Sequence, residues 1–313
     1  MTDRQKVCRK VLKTLKEQLQ MSHQEYVVTL AMMISGIVLS RNARLAVMSE
    51  EVPSAAKDQS IEMRMRRWVK HDDIEVEVTY MPFAQQILMS LADSALVLAM
   101  DGSQAGHGCM VLMVGVVYRS RLLPLAWVVY PGKKGHTTAA RHIEVLEKVL
   151  PLLPENAEVV LLDDAEYDTT EILAWVQAKT GWAFVLRTAS NLLIHDGAAW
   201  QPIGEVTVTH GRLRILPDIA FTQHAALPAN LVVWWGQEYD ALLFLITNVP
   251  TVSRSAWFCR RRFRIETFFS DQKSHGFHIH KSHLSDPVRS SRLLLAACLA
   301  YVWMVGCSVV NVR

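Results

Sequence analysis

The sequence predicts an α/β fold in which helices cover a mixed sheet, preceded by a helical N-terminal region. Three observations carry this. Residues 1–95 read as helical, with apolar positions recurring at helical spacing in 7–19 and 26–39. From residue 95 onward, apolar runs of strand length alternate with helical segments in the order strand-strand-strand-helix-strand-helix-strand. The composition supplies a core, since 50% of the 313 residues are hydrophobic and only 20% charged. That balance excludes intrinsic disorder, and the length allows one large domain or two modest ones. No Gly-X-Y period, heptad array or longer repeat is present, which sets aside fibrous and solenoid classes. The net charge of +3 is too small to argue by itself for nucleic acid.

Taken in order, residues 7–19 and 26–39 read as helices. Arg64, Arg66, Arg67 and Lys70 surround Trp68; on a helix they could line a phosphate backbone or form an ordinary solvated face. Residues 95–100 are a continuous apolar run ending in Asp101. Residues 110–118 and 122–130 form a hairpin across Arg119, Ser120 and Arg121. Residues 137–153 are helical, with Ile143, Leu146, Val149 and Leu150 at core spacing and Pro154 as the stop. Residues 158–162 form a buried strand running into Asp163 and Asp164. Thr169–Lys179 is a helix and 182–186 a strand.

Residues 190–239 differ in character. Short β-rich pieces at 205–209, 212–216 and 231–235 lie between turns such as His195-Asp196-Gly197, so a β-rich insertion is expected at about 190–240. Within it, Trp234 and Trp235 could stack on an unpaired base or fill the insertion's core, the plainer reading. Residues 241–248 return to a core strand, and one long helix is expected over 255–274. The expected division is an N-terminal helical region at 1–94, whose basic cluster allows a DNA-binding role, and an α/β domain at 95–313.

The five cysteines are scattered without a CxxC, which excludes a disulfide framework and fits a reducing cytoplasmic compartment. The N-terminus lacks a signal-peptide apolar core. Residues 293–312 carry no charge and could span a bilayer by length. A buried core helix with a strand-like tail at 308–312 is the preferred reading, so no membrane partner is expected. Gly102, Gly106 and Gly108 follow a strand but do not match GxGxxG. His275, His278, His280 and His283 could suggest zinc, yet no cysteine stands at ligand spacing to them, and solvent or phosphate is the commoner partner.

The carboxylates are more informative. Asp101 and Asp164 end neighbouring strands, where ligands collect in an α/β sheet. Such pairs suit divalent cations, which prefer hard oxygen ligands, and a third carboxylate would complete a two-metal site for phosphoryl transfer. Glu266 is the candidate. At ~100° per residue, Cys259, Arg262, Glu266 and Lys273 fall within roughly 60° of one another, and Phe258, Ile265 and Phe269 make a separate apolar seam. A surface helix with an Arg262–Glu266 salt bridge is the plainer alternative. Asp163 reads as a strand-end neighbour, and Glu166 as a structural or supporting acid.

The run CRRRFRIETFFSDQK is similar to the Y-(2)-R-(3)-E-(6)-K signature of bacterial insertion-sequence transposases of the DDE family. Arg262, Glu266 and Lys273 hold the R, E and K positions. MDGS around Asp101 and LLDDAEYD around Asp164 resemble the family's two aspartate motifs, and the resemblance covers roughly residues 30–306. It implies an RNase H-like mixed sheet flanked by helices, with a β-rich insertion between the second Asp and the Glu. It implies cut-and-paste transposition in which Asp101, Asp164 and Glu266 are catalytic and hold two Mg²⁺ or Mn²⁺ ions, while Arg262 and Lys273 hold DNA phosphates. The partners implied are double-stranded DNA, as terminal inverted repeats and target, and a second copy of the chain in the DNA complex.

One position departs: where the family has Tyr, this chain has Cys259. Phe258 points ~100° away on a helix and cannot substitute. If the phosphate-facing position of Cys259 is directed at DNA and solvent, a tyrosine there should raise cleavage with little change in stability. The departure, with a chain that stops at residue 313 where relatives often continue, leaves an alternative: a relative that binds DNA but cuts poorly.

Overall fold

The computed structural model describes residues 1–19, 23–133, 137–164 and 169–310. Glu166 and Asp168, beside the second aspartate motif, lie outside the described residues, as do 311–313.

Five helices open the chain: α1 (Asp3–Gln18), α2 (Gln24–Ser40), α3 (Leu45–Glu51), α4 (Asp58–Lys70) and α5 (Val76–Leu91). A capping box starts α1. The Gln5 amide donates to Thr2 Oγ1 at 3.3 Å and the Thr2 amide to Gln5 Oε1 at 2.9 Å. Helix α2 is buried along most of its length, and Gly36 lets α3 approach it: a Cβ there would lie 2.8 Å from the Met48 carbonyl.

The sheet has ten strands among the described residues: β1 (Leu96–Gly106), β2 (Cys109–Tyr118), β3 (Arg121–Pro131), β4 (Val159–Asp163), β5 (Ala183–Thr188), β6 (Leu193–His195), β7 (Trp200–Pro202), β8 (Leu213–Phe221), β9 (Leu227–Trp234) and β10 (Leu243–Thr247). Their spatial order is β3-β2-β1-β4-β5-β10-β9-β8-β6-β7. β1, β2 and β3 pair antiparallel, while β1–β4 and β4–β5 are parallel. The parallel strands are joined through α6 (Ala139–Val149) and α7 (Thr169–Lys179), which gives the RNase H-like α/β arrangement implied by the sequence resemblance.

Three elements differ from expectation. The run at 95–100 is the first half of a longer β1. Pairing with β4 stops at Met100, whereas pairing with β2 continues to Gly106, so the strand passes straight through Asp101. The β-rich pieces at 190–240 continue the main sheet, because the open edge of β10 takes β9 in antiparallel register. Residues 205–209 are not a strand; a 3₁₀ turn occupies Ile203–Glu205. The long helix at 255–274 is two, α8 (Ser255–Arg262) and α9 (Arg264–Gln272), broken at Phe263. The expected apolar seam survives the break, with Phe258, Ile265 and Phe269 all buried.

Helix α10 (Pro287–Val310) is long and apolar enough to cross a membrane, but residues 293–301 are buried within the protein. It packs on α2, α4, α5 and β3. In place of a strand-like tail, the helix continues through Val310, since Val302, Trp303, Met304 and Val305 keep packing against the core. Buried Arg292 ties α10 to the end of α4. It donates to the carbonyls of Val69 (3.2 Å) and Ile74 (3.1 Å) and to Asp72 (3.3 Å), which satisfies carbonyls beyond the reach of helical bonding.

Candidate active site

The site forms where parallel pairing between β1 and β4 ends. Met100 pairs with Asp163, so Asp101 and Asp164 stand one residue further along adjacent chains. Alternation turns Asp163 into the core, at 1% exposure, and Asp164 the other way. Arg262 is the last residue of α8, and Glu266 lies in the first turn of α9.

Arg262 organises these groups. Its Nη2 lies 3.1 Å from Asp164 Oδ2 and 3.0 Å from Glu266 Oε1, and its side chain is only 5% exposed. Arg187, on β5, approaches both Asp164 oxygens at 3.4 Å. Asp101 accepts the Gly102 amide at 2.7 Å. Burial pushes the Asp101 carboxyl up to about 6; Arg262 and the Gly102 amide oppose the shift, and Asp164 and Glu266 reinforce it. Burial likewise pushes Asp163 up to about 7, against the nearby His142. Lys273, at the end of α9, donates to Ser103 Oγ at 2.6 Å, two residues beyond Asp101 on β1.

Thus Asp101, Asp164, Glu266 and Arg262 are brought into one electrostatic neighbourhood, and Lys273 is anchored to the strand that carries Asp101. Among the described residues no group of three or more His, Cys, Asp or Glu stands ready to hold a metal ion; a guanidinium sits where two of the acids meet. The donor chemistry nevertheless fits a divalent cation. The donors are carboxylate oxygens, and three acids gathered in one neighbourhood favour added positive charge.

Cys259 requires a correction. It was expected to face DNA and solvent, but it is 5% exposed within the core cluster, because α8 packs this side on β4 and β5. Burial pushes its thiol up to about 11, so in this arrangement it is a neutral packed group.

Other candidates sort by what they touch. Trp234 is buried under Arg260 and against Tyr239, in keeping with the packing role. In the α4 cluster, Arg64 binds Thr29 at 2.8 Å, Arg66 binds Glu62, and Trp68 is buried with its indole donating to the Tyr26 carbonyl. Arg67 and Lys70 stay exposed. His275 pairs with Ser270 at 2.7 Å, and the His278 and His280 rings lie 6.2 Å apart. Arg187 and Ser103 escaped the sequence reading. The available signal for Arg187 was a lone cation in the apolar run AFVLRT, one residue past the partner of Asp163.

The family model described as "Transposase DDE domain" matches residues 90–303. A cryo-EM structure of the piggyBac transposase synaptic complex with hairpin DNA is similar at a TM-score of 0.50 and 9% identity, over 95% of this chain and 72% of that one. At that identity the likeness concerns the fold. An Argonaute from Aquifex aeolicus aligns at 11% identity over 70% of this chain and 33% of its own, with a TM-score of 0.28, too low to indicate a shared fold. No curated protein matches the chain by sequence.

Proposed function

Because this chain belongs to the transposase DDE domain family, we propose that it cleaves and joins DNA strands at the ends of an insertion sequence, with Asp101, Asp164 and Glu266 as its acidic centre. The observation that carries this reading is the convergence of acids from β1, the end of β4 and α9 around one buried guanidinium.

DDE transposase domains generally use divalent metal ions. Here Asp101, Asp164 and Glu266 would hold Mg²⁺ or Mn²⁺, two ions in all, supplying Lewis-acid stabilisation of the attacking and leaving oxygens. The protein's own part is electrostatic positioning. Arg262 presents a planar fork suited to phosphate, and it trades a carboxylate for a DNA oxygen when substrate arrives. Lys273 offers a point charge from the Ser103 side of Asp101. Strand transfer then needs the freed 3′-hydroxyl held against a second DNA segment, in a dimer of the chain. Duplex DNA at the terminal repeats is the substrate, Arg67 and Lys70 of the helical region add backbone contacts, and the setting is the bacterial cytoplasm.

A second reading, a DNA-binding relative with weak cleavage, is favoured by Cys259, whose short buried thiol cannot offer the phenolic donor of the family's tyrosine. Nicking of DNA carrying the element's ends, with and without Mg²⁺ or Mn²⁺, separates the two. Metal-dependent nicks support the first reading; tight binding without nicks supports the second.

A further inference from the structure

We propose that α8 and the residues flanking it carry a second DNA-backbone surface, separate from the acidic centre and built from Arg254, Trp257, Arg261 and Arg264. This rests on the DNA-processing role proposed above.

Trp257 is 41% exposed, one of the large apolar side chains that the fold leaves uncovered. Its indole is flanked by cations: the Arg261 guanidinium lies 4.0 Å from the ring centroid and that of Arg254 lies 5.1 Å away. Such stacking pre-orients a guanidinium while leaving its N–H fork free for a planar or tetrahedral anion. No Asp or Glu pairs with Arg254, Arg261 or Arg264 among the described residues. Their neighbours differ: Arg260 is neutralised by Glu238 at 2.6 Å, and Arg262 by Asp164 and Glu266. Arg261 instead lies within electrostatic reach of the other two. The Arg261 pKa is lowered by burial and then by Arg264 and Arg254, and Arg264 Nε is buried without a hydrogen-bond partner. A fold that gathers like charges around an exposed aromatic ring gains stability when a polyanion arrives.

The surface is distinct from the acidic centre. At ~100° per residue, Arg261 points about 100° and Trp257 about 140° away from Arg262 around α8. The charge pattern fits a run of phosphates, each taken by a guanidinium, with the indole against the sugar-phosphate edge. Duplex DNA beyond the cut is therefore the occupant.

The test is binding of the full chain to a random-sequence duplex, without metal, over a series of salt concentrations. Each phosphate contact contributes about 0.9 to the slope of log K against log salt. The slope for Arg254→Gln/Arg261→Gln should be shallower than wild type by about 1.8, and that for the single exposed change Arg254→Gln by about 0.9. The charge-preserving Arg254→Lys/Arg261→Lys should keep most of the wild-type slope, and melting temperatures should match. A double variant with the wild-type slope overturns the proposal while leaving the transposase reading in place; an acidic protein partner for this face would give that same result. A wild-type chain that binds no duplex overturns both.

Discussion

Arg262 Nη2 lies 3.1 Å from Asp164 Oδ2, joining the last residue of α8 to the residue just past β4. The same nitrogen reaches Glu266 at 3.0 Å, so one guanidinium fixes the relative positions of two acids from separate elements. Lysine has the charge, but its stem is one bond shorter, so its ammonium falls short of the point where Nη2 meets both acids. Arg262→Lys is expected to cost about 1–2 kcal/mol of stability, below the ~3–5 kcal/mol of a fully buried broken pair because Glu266 is half exposed. Cleavage should fall at least tenfold. Denaturant melts and single-turnover nicking on one preparation check both.

Cys259→Tyr is expected to destabilise the protein. The site is 5% exposed, and inserting a ring into a packed core typically costs about 1–3 kcal/mol. Cys259→Ser, close in volume, should cost less. The comparison is the denaturation midpoint of the three proteins; a tyrosine variant as stable as wild type would mean that α8 yields to admit the ring.

The chain order of strands and helices and the approximate place of each acid were legible because apolar runs and helical spacing report burial directly. The extension of β1 through Asp101 was not, since it depends on β2 outlasting β4 as a partner. Nor was the break at Phe263, which sits between two stretches that keep one helical register. The spacing that grouped Cys259 with Arg262, Glu266 and Lys273 assumed one unbroken helix, and azimuth does not say which side meets solvent. Packing of α8 on β4 and β5 decides that, and it buries Cys259 and Arg262 alike.

Asp163 should make stability depend on pH. Its carboxyl titrates at about 7 when folded and near ~3.9 when unfolded. Between those values the folded chain keeps a proton that the unfolded chain has lost, so unfolding free energy falls as pH rises from about 4 to about 7 and then levels. Asp101, at about 6, adds to the same trend. Asp163→Asn removes one of these protons from the linkage. It should raise stability at pH 8 by at least ~1 kcal/mol and flatten the dependence; a variant less stable at pH 8 than at pH 5 by the wild-type margin would rule this out.

Helix α10 is expected to behave as core. Its residues 293–301 are buried against α2, α4, α5 and β3, and Arg292 is bonded to the end of α4. Carbonate-washed membranes from expressing cells should release the protein, and retention in the washed pellet would point to insertion.

The central claim is that Asp101, Asp164 and Glu266 act together on DNA. The most direct measurement is metal-dependent nicking and gel-shift binding on one DNA carrying the element's ends, for wild type, Asp101→Asn, Asp164→Asn and Glu266→Gln. Wild type should nick with Mg²⁺ or Mn²⁺, and each variant should lose nicking while binding the DNA nearly as well. Normal nicking by any one variant would contradict the claim and remove that residue from the site.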